Sequence, residues 1–241
     1  MIAAIRSVVT YVAILVYILV VAPVALFVGG VLRSKRGMYA LGHGGVWLAL
    51  VLGGIRYRVT GREHVPASAV VFCSNHESNV DPAVLFEALH PQLHVLYKAE
   101  LHRLPLMGWV FDVGGFVAVD RGDREKALAS ISRGAQSLRS GNCFLIFPEG
   151  TRSRTGSLLP FKKGGFVMAI EAQVPIVPVA VQGGRAAMRK GSAVVHPVSV
   201  SVRIGTPVPT AGLTLADRET LIRRVRGDVQ QLLDQGSLWD D

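Results

Sequence analysis

From Ser7 to Leu32 the chain reads SVVTYVAILVYILVVAPVALFVGGVL, 26 residues without a formal charge between Arg6 and Arg33. A helix of that length, at about 1.5 Å per residue, crosses a hydrocarbon layer about 30 Å thick. The run predicts a membrane segment: it is longer than the apolar part of a cleaved leader, and no clear A-x-A site follows it. A second uncharged stretch, Gly37 to Ile55, has 19 residues but carries six glycines and His43, so it either spans or lies in the interface beside the first. After Arg58 the pattern changes to short β-branched runs separated by helix-like stretches. SAVVFCS, LHVLYKA, GFVAVDR, NCFLIFP, PIVPVAVQ and VSVSVRIG read as strands, most of them too apolar to face water on either side. Asp123–Arg139, with Leu128, Ile131, Ala135 and Leu138 at helical spacing, reads as an amphipathic helix. Lys162–Gln173 reads as another, and Thr214–Gln235 as a closing helix with Leu221, Val225, Val229 and Leu232 on one stripe.

Strands alternating with helices predict an α/β fold, a mostly parallel sheet flanked by helices and preceded by an N-terminal membrane helix pair. The corresponding division is residues 1–56 for the membrane-associated helices and 57–241 for one globular domain. Composition agrees, since 241 residues at 50% hydrophobic content hold one sizeable core plus an accessory segment. Lys and Arg outnumber Asp and Glu by 26 to 17, a net charge of +9, which suits nucleic acid or an anionic membrane. The apolar N-terminus favours the membrane, and no basic helix or aromatic-interleaved surface favours nucleic acid. Arg33, Lys35, Arg36, Arg56 and Arg58 follow the first apolar segment, against Arg6 alone before it. If only the first segment spans, the positive-inside bias places the soluble part in the cytoplasm, on the inner membrane, and a shallow two-helix hairpin in one leaflet would place it there too. Cys73 and Cys143 lie in apolar strand-like runs and are expected as buried free thiols; no Cys/His spacing suggests zinc.

In a parallel α/β sheet the ligand site lies beyond the carboxyl ends of the strands. Four expected strand ends carry unusual polar groups: His76, Lys98, Arg121, and Glu149 with Gly150, Thr151 and Arg152. The spacing of His76 and Asp81 is weak by itself; its position at a strand exit gives it weight. Asp81 precedes Pro82 where a helix should open, so it is expected as the helix N-cap. From there its carboxylate could accept the Nδ1 proton of His76 and leave Nε2 as a base. In FPEGTRS, Pro148 ends a strand, Gly150 permits a tight turn, and Thr151, Arg152 and Ser153 offer donors suited to phosphate. Each cation alone also fits an ordinary solvated charge. One Asp and one His without further clustered acids make a poor metal cage, so no metal is expected.

These blocks, in order, resemble the glycerophospholipid acyltransferases, most closely the bacterial 1-acyl-sn-glycerol-3-phosphate (lysophosphatidate) acyltransferases. NHESNVD at 75 to 81 is similar to that family's NHxxxxD block, GFVAVDR at 115 to 121 to its substrate-binding block, FPEGTRS at 147 to 153 to its third and VPIVPVAV at 174 to 181 to its fourth. FKKGGFVMA at 161 to 169 is similar to the segment that follows the third block. The resemblance covers about residues 55 to 210. It implies that His76 is the general base that deprotonates the free sn-2 hydroxyl of a lysophospholipid, with Asp81 orienting it. The acyl donor would be a thioester of acyl carrier protein or coenzyme A, used as co-substrate with no other cofactor. Lys98, Arg121 and Arg152 would grip the acceptor's phosphate, Glu149 would hold the loop or a glycerol hydroxyl, and Asn75, Gly150 and Thr151 would bind substrate or support the loop. Backbone N–H groups near Gly150 or Asn75 are the oxyanion donors to test. Glycerol 3-phosphate or lyso-ornithine and other lyso-lipids are the alternative acceptors.

Overall fold

The computed structural model describes residues 2–89, 92–103, 107–120, 122–188 and 191–239, without the side chains of Lys98, Met107 and Arg124. Helix α1 (Ile2–Leu26) runs into a π-helical turn, Phe27–Val31, and the chain reverses into α2 (Lys35–Gly53). Ser34 caps α2 by accepting from Gly37 N at 3.1 Å, and Gly54 ends it in the left-handed region at φ 71°. Tyr17 on α1 donates its hydroxyl to Leu41 O on α2 at 2.7 Å, tying the two together. Both apolar stretches are therefore helices. Among the described residues, Ile2–Val31 is the helix long and apolar enough to cross a membrane, and its side chains, Leu15, Leu19 and Val20 among them, stand exposed.

The rest of the chain runs β1 (Ile55–Thr60), β2 (Val71–Ser74), α3 (Asp81–Ala88), β3 (Leu93–Lys98), α4 (Met107–Gly114), β4 (Val117–Val119), α5 (Arg124–Arg139), β5 (Cys143–Ile146), α6 (Gly164–Ala172), β6 (Ile176–Gln182), α7 (Gly184–Ala187), β7 (Val198–Ile204) and α8 (Arg218–Asp234). The strands lie in the order β1-β7-β6-β2-β5-β3-β4. From β6 to β4 every neighbour is parallel; β7 is antiparallel to β6 and parallel to β1. The expected α/β architecture, a mostly parallel sheet flanked by helices, is borne out, with a reversed pair at one edge. Strand β1 was not expected. Its sequence, IRYRVT, alternates buried and more exposed positions as an edge strand does, but it directly follows a long apolar run that masks its start.

The sheet is covered on both faces. Val70, Phe72, Leu145, Val177 and Val179 pack with Leu50 of α2 and Val84 and Leu85 of α3 on one side. Val71, Cys73, Phe144 and Ile146 pack with Ala135 and Leu138 of α5, Phe166 of α6 and Val225 of α8 on the other. Successive strand residues thus enter opposite cores, which is why the central strands are continuously apolar. Leu128 departs from expectation: the buried stripe of α5 starts later, and Leu128 is exposed. Pro178 sits inside β6 without breaking it. Its carbonyl accepts from Gly205 N on the β7 side at 2.8 Å, so its missing N–H faces that side too, just before the β6–β7 ladder begins at Val179.

Candidate active site

Strand β2 ends at Ser74, and the next residue holds the exit in place. The Asn75 side chain donates from Nδ2 to Val181 O and accepts at Oδ1 from Val181 N, both at 2.8 Å. The amide acts as one more rung between β2 and β6, so Asn75 supports the loop. His76 follows, half-buried, its ring stacked on Phe147 with centroids 4.2 Å apart. His76 Nδ1 lies 2.9 Å from Asp81 Oδ2. An ionised carboxylate only accepts, so Nδ1 is the donor and the Nε2 lone pair is left for chemistry.

Asp81 is not the N-cap the sequence suggests. It is the first residue of α3, behind Val80, and its fully buried carboxylate turns back into the preceding loop. Oδ2 accepts from Glu77 N and Ser78 N, both at 2.7 Å, as well as from His76. Loop amides rather than helix amides attract it because residues 77 and 78 converge on that oxygen, whereas Pro82 offers no N–H at all. Oδ1 is buried and has no hydrogen-bond partner among the described residues. Gly184 backs onto it so closely that a Cβ there would stand 2.5 Å from Oδ1.

The FPEGTR turn follows β5 and closes around His76. Gly150, at φ 68°, donates to Phe147 O at 3.0 Å, so this expected oxyanion donor is engaged in the turn itself. Glu149 accepts from His76 N at 2.7 Å with one oxygen and from Leu159 N at 2.9 Å with the other. Ser153 N donates to His76 O at 2.8 Å. Both backbone polar groups of the histidine are thus held from the third block, and Glu149 supports the loop. Burial pushes the Glu149 carboxyl up, opposed by the two amide bonds it receives. The Ser153 hydroxyl donates to Ser157 O at 2.8 Å and accepts from Gly156 N at 3.0 Å, so it builds the next loop. Thr151 is exposed at the turn. Arg152 is half-buried, and its Nη1 is buried without a partner among the described residues.

The parallel strand order brings the exits of β2, β3, β4 and β5 to one edge of the sheet. Lys98 is the last residue of β3, but its side chain lies outside the described residues, as does Arg121 entirely. Glu77 was not anticipated. Its carboxyl accepts from Arg185 N at 3.3 Å. Burial, then the Asp81 charge, pushes it up to about 7, against the amide bonds from residues 183 to 185. Nothing local marks it, because those amides arrive from the exit of β6.

Elsewhere, a cavity of about 900 Å³ opens between β1, β7 and α8, at the opposite edge of the sheet. There Arg224 pairs with Asp228 at 3.1 Å, and Arg203 donates to the carbonyls of Gln235 and Gly236. Cys73 and Cys143 are free and buried, and burial pushes the Cys73 thiol far up. Among the described residues no group of three or more His, Cys, Asp and Glu side chains could hold a metal ion.

Fold and site define an α/β enzyme with a carboxylate-oriented histidine at the carboxyl edge of its sheet. Residues 56–182 match the sequence profile of the family described as Acyltransferase. The chain belongs to that acyltransferase family. It is 37% identical over 175 residues to human 1-acyl-sn-glycerol-3-phosphate acyltransferase alpha, covering 72% of this chain and 62% of that protein. It is 34% identical over 168 residues to the Pseudomonas aeruginosa 1-acyl-sn-glycerol-3-phosphate acyltransferase, covering 69% and 65%. The chain thus spans somewhat less than two thirds of the length of these relatives. The crystal structure of the 1-acyl-sn-glycerophosphate (LPA) acyltransferase PlsC from Thermotoga maritima has the same fold, with a TM-score of 0.82 over 99% of this chain and 98% of that one at 22% identity.

Proposed function

We propose that this chain is a 1-acyl-sn-glycerol-3-phosphate acyltransferase that moves a fatty acyl chain from a thioester to the sn-2 hydroxyl of lysophosphatidic acid, giving phosphatidic acid. The observation that carries the reading is the His76–Asp81 pair at 2.9 Å, with the histidine backbone clamped by a turn whose Arg152 Nη1 has no partner among the described residues. The names of the relatives support the acceptor.

Nε2 of His76 removes the hydroxyl proton as that oxygen bonds to the thioester carbonyl carbon. When the tetrahedral adduct collapses, the C–S bond breaks and the thiolate takes the proton from Nε2. Asp81 keeps Nδ1 protonated and stabilises the imidazolium, and general-base catalysis by a histidine so oriented is typically worth about 10²–10⁴ in rate. Arg152, with Lys98 and Arg121, binds the acceptor phosphate. The donor is a thioester of acyl carrier protein or coenzyme A, and no metal or other cofactor takes part. Residues 1–56 form the membrane-associated helices and 57–241 the acyltransferase domain, on the cytoplasmic side of the inner membrane. The exposed apolar surface of α1 supports the membrane association.

The test is an acceptor panel on purified protein with one acyl thioester. Lysophosphatidate is expected to be acylated far faster than glycerol 3-phosphate or lyso-ornithine lipid, and a preference for either of the latter would reassign the acceptor.

A further inference from the structure

The cations assigned to the site from sequence follow the strand ends that the sequence predicts; the fold adds one from farther along the chain. Lys162 donates its backbone N–H to Pro148 O at 2.8 Å, bringing the segment before α6 back against the FPEGTR turn. Its side chain then runs along Gly150. A Cβ at that position would stand 3.0 Å from Lys162 Cδ, 2.9 Å from Cε and 2.8 Å from Nζ. The absence of a side chain at Gly150 therefore opens the path along which the ammonium reaches the turn.

Among the described residues no counter-charge meets it there. Glu149, the acid of the turn, has both oxygens on backbone amides. Among the described residues the Lys162 ammonium makes no ion pair or hydrogen bond, and Arg152 Nη1 is buried without a partner. One turn thus carries an ammonium and a guanidinium that no carboxylate among the described residues engages, and the same turn clamps both backbone groups of His76. Two such cations suit a dianionic phosphoryl group, whose oxygens accept from both. A phosphate seated on this turn is also held at a set position relative to the catalytic imidazole.

We propose that Lys162 is a further phosphoryl-binding residue of this site, forming with Arg152 a two-cation seat on the FPEGTR turn. The inference rests on the acyl-transfer reading above. The phosphoryl group has two sources: the dianionic phosphomonoester of the acceptor, which matches two cations best, and the singly charged phosphate diester of the donor's pantetheine arm.

Steady-state kinetics of Lys162→Met and Lys162→Arg, varying acceptor and donor in turn, separates them. Met preserves the aliphatic stem along Gly150 and removes the charge. Lys162→Met is expected to raise the KM of one substrate roughly tenfold, a loss typical of one charge-assisted contact. A rise for lysophosphatidate assigns the seat to the acceptor, and its preference over phosphate-free 1-monoacylglycerol should fall by about the same factor; a rise for the donor assigns the seat to the pantetheine phosphate. Lys162→Arg should recover most of the loss. Both KM values within about twofold of wild type, or Met and Arg behaving alike, would overturn the inference. A second measurement is independent of turnover. Glycerol 3-phosphate should raise the melting temperature of wild type and do so far less for Lys162→Met; an equal shift in both would contradict the seat even if acyl transfer were confirmed. Wild type that acylates no lyso-lipid yet shows the Lys162-dependent shift would instead overturn the parent reading and leave the seat standing.

Discussion

At the scale of single residues, the site is a histidine whose every polar group except Nε2 has a named partner, and a carboxyl that sequence alone did not flag. Glu77 titrates at about 7 rather than in the ordinary carboxyl range because it is buried beside Asp81. A folded-state value above the unfolded one means that the stability this group contributes is fully present below about 4.5 and is lost as pH rises through about 7. Between pH 5 and pH 8 that loss should be on the order of 2 kcal/mol once solvent screening is allowed for. Glu77→Gln removes the titration, so its melting temperature should fall less than that of wild type over this interval, and parallel falls would refute the assignment. The pairing of His76 with Asp81 was legible from a strand exit and a helix start five residues apart. Glu77 and Lys162 were not, because their importance comes from backbone that returns to the site from β6 and from the segment before α6, and local patterning carries no such contact.

At the scale of elements, the loop that carries His76 and Asp81 is a sandwich. The β2 exit is pinned to β6 by Asn75, to the β5 turn by Glu149 and Ser153, and to the β6–α7 turn by Glu77 and the close approach of Gly184. Gly184→Ala places a methyl group 2.5 Å from Asp81 Oδ1. That carboxylate or the turn must move, and a displacement of even about 1 Å at a catalytic pair typically costs about 10² in rate. We predict a fall of that order in kcat with circular dichroism close to wild type; full activity would show that the turn yields without disturbing Asp81. Apolar runs made the parallel strands from β6 to β4 readable, most plainly the central ones, whose two faces are both covered. The edge was harder to read: β1 is short and half-polar, and nothing in the VSVSVRIG run announces that β7 reverses against β6.

At the scale of the whole molecule, the apolar N-terminal helix is bonded to the α/β part of the chain as well as exposed to its surroundings. Ser7 Oγ accepts from Val195 N at 2.8 Å in a buried contact, and Tyr11 donates to Ala193 O at 2.6 Å. Earlier in the chain, the Met188 carbonyl accepts from the Ser78 hydroxyl at 3.3 Å in the loop between His76 and Asp81. Ser7→Ala leaves the Val195 N–H buried and unpaired, which costs about 1–3 kcal/mol. The variant in detergent should melt several degrees lower, and an unchanged transition would mean that α1 does not brace the domain. The length and apolarity of α1 were evident from composition alone; its hydrogen bonds to residues 193 to 195 were not, because Ser7 and Tyr11 look like ordinary members of an apolar run. The most direct test of the account as a whole compares wild type with His76→Ala in phosphatidate formation from lysophosphatidate and a labelled acyl thioester. Product from wild type and at least about a 10²-fold loss in the folded variant are predicted; a folded His76→Ala protein that acylates lysophosphatidate at the wild-type rate would contradict it.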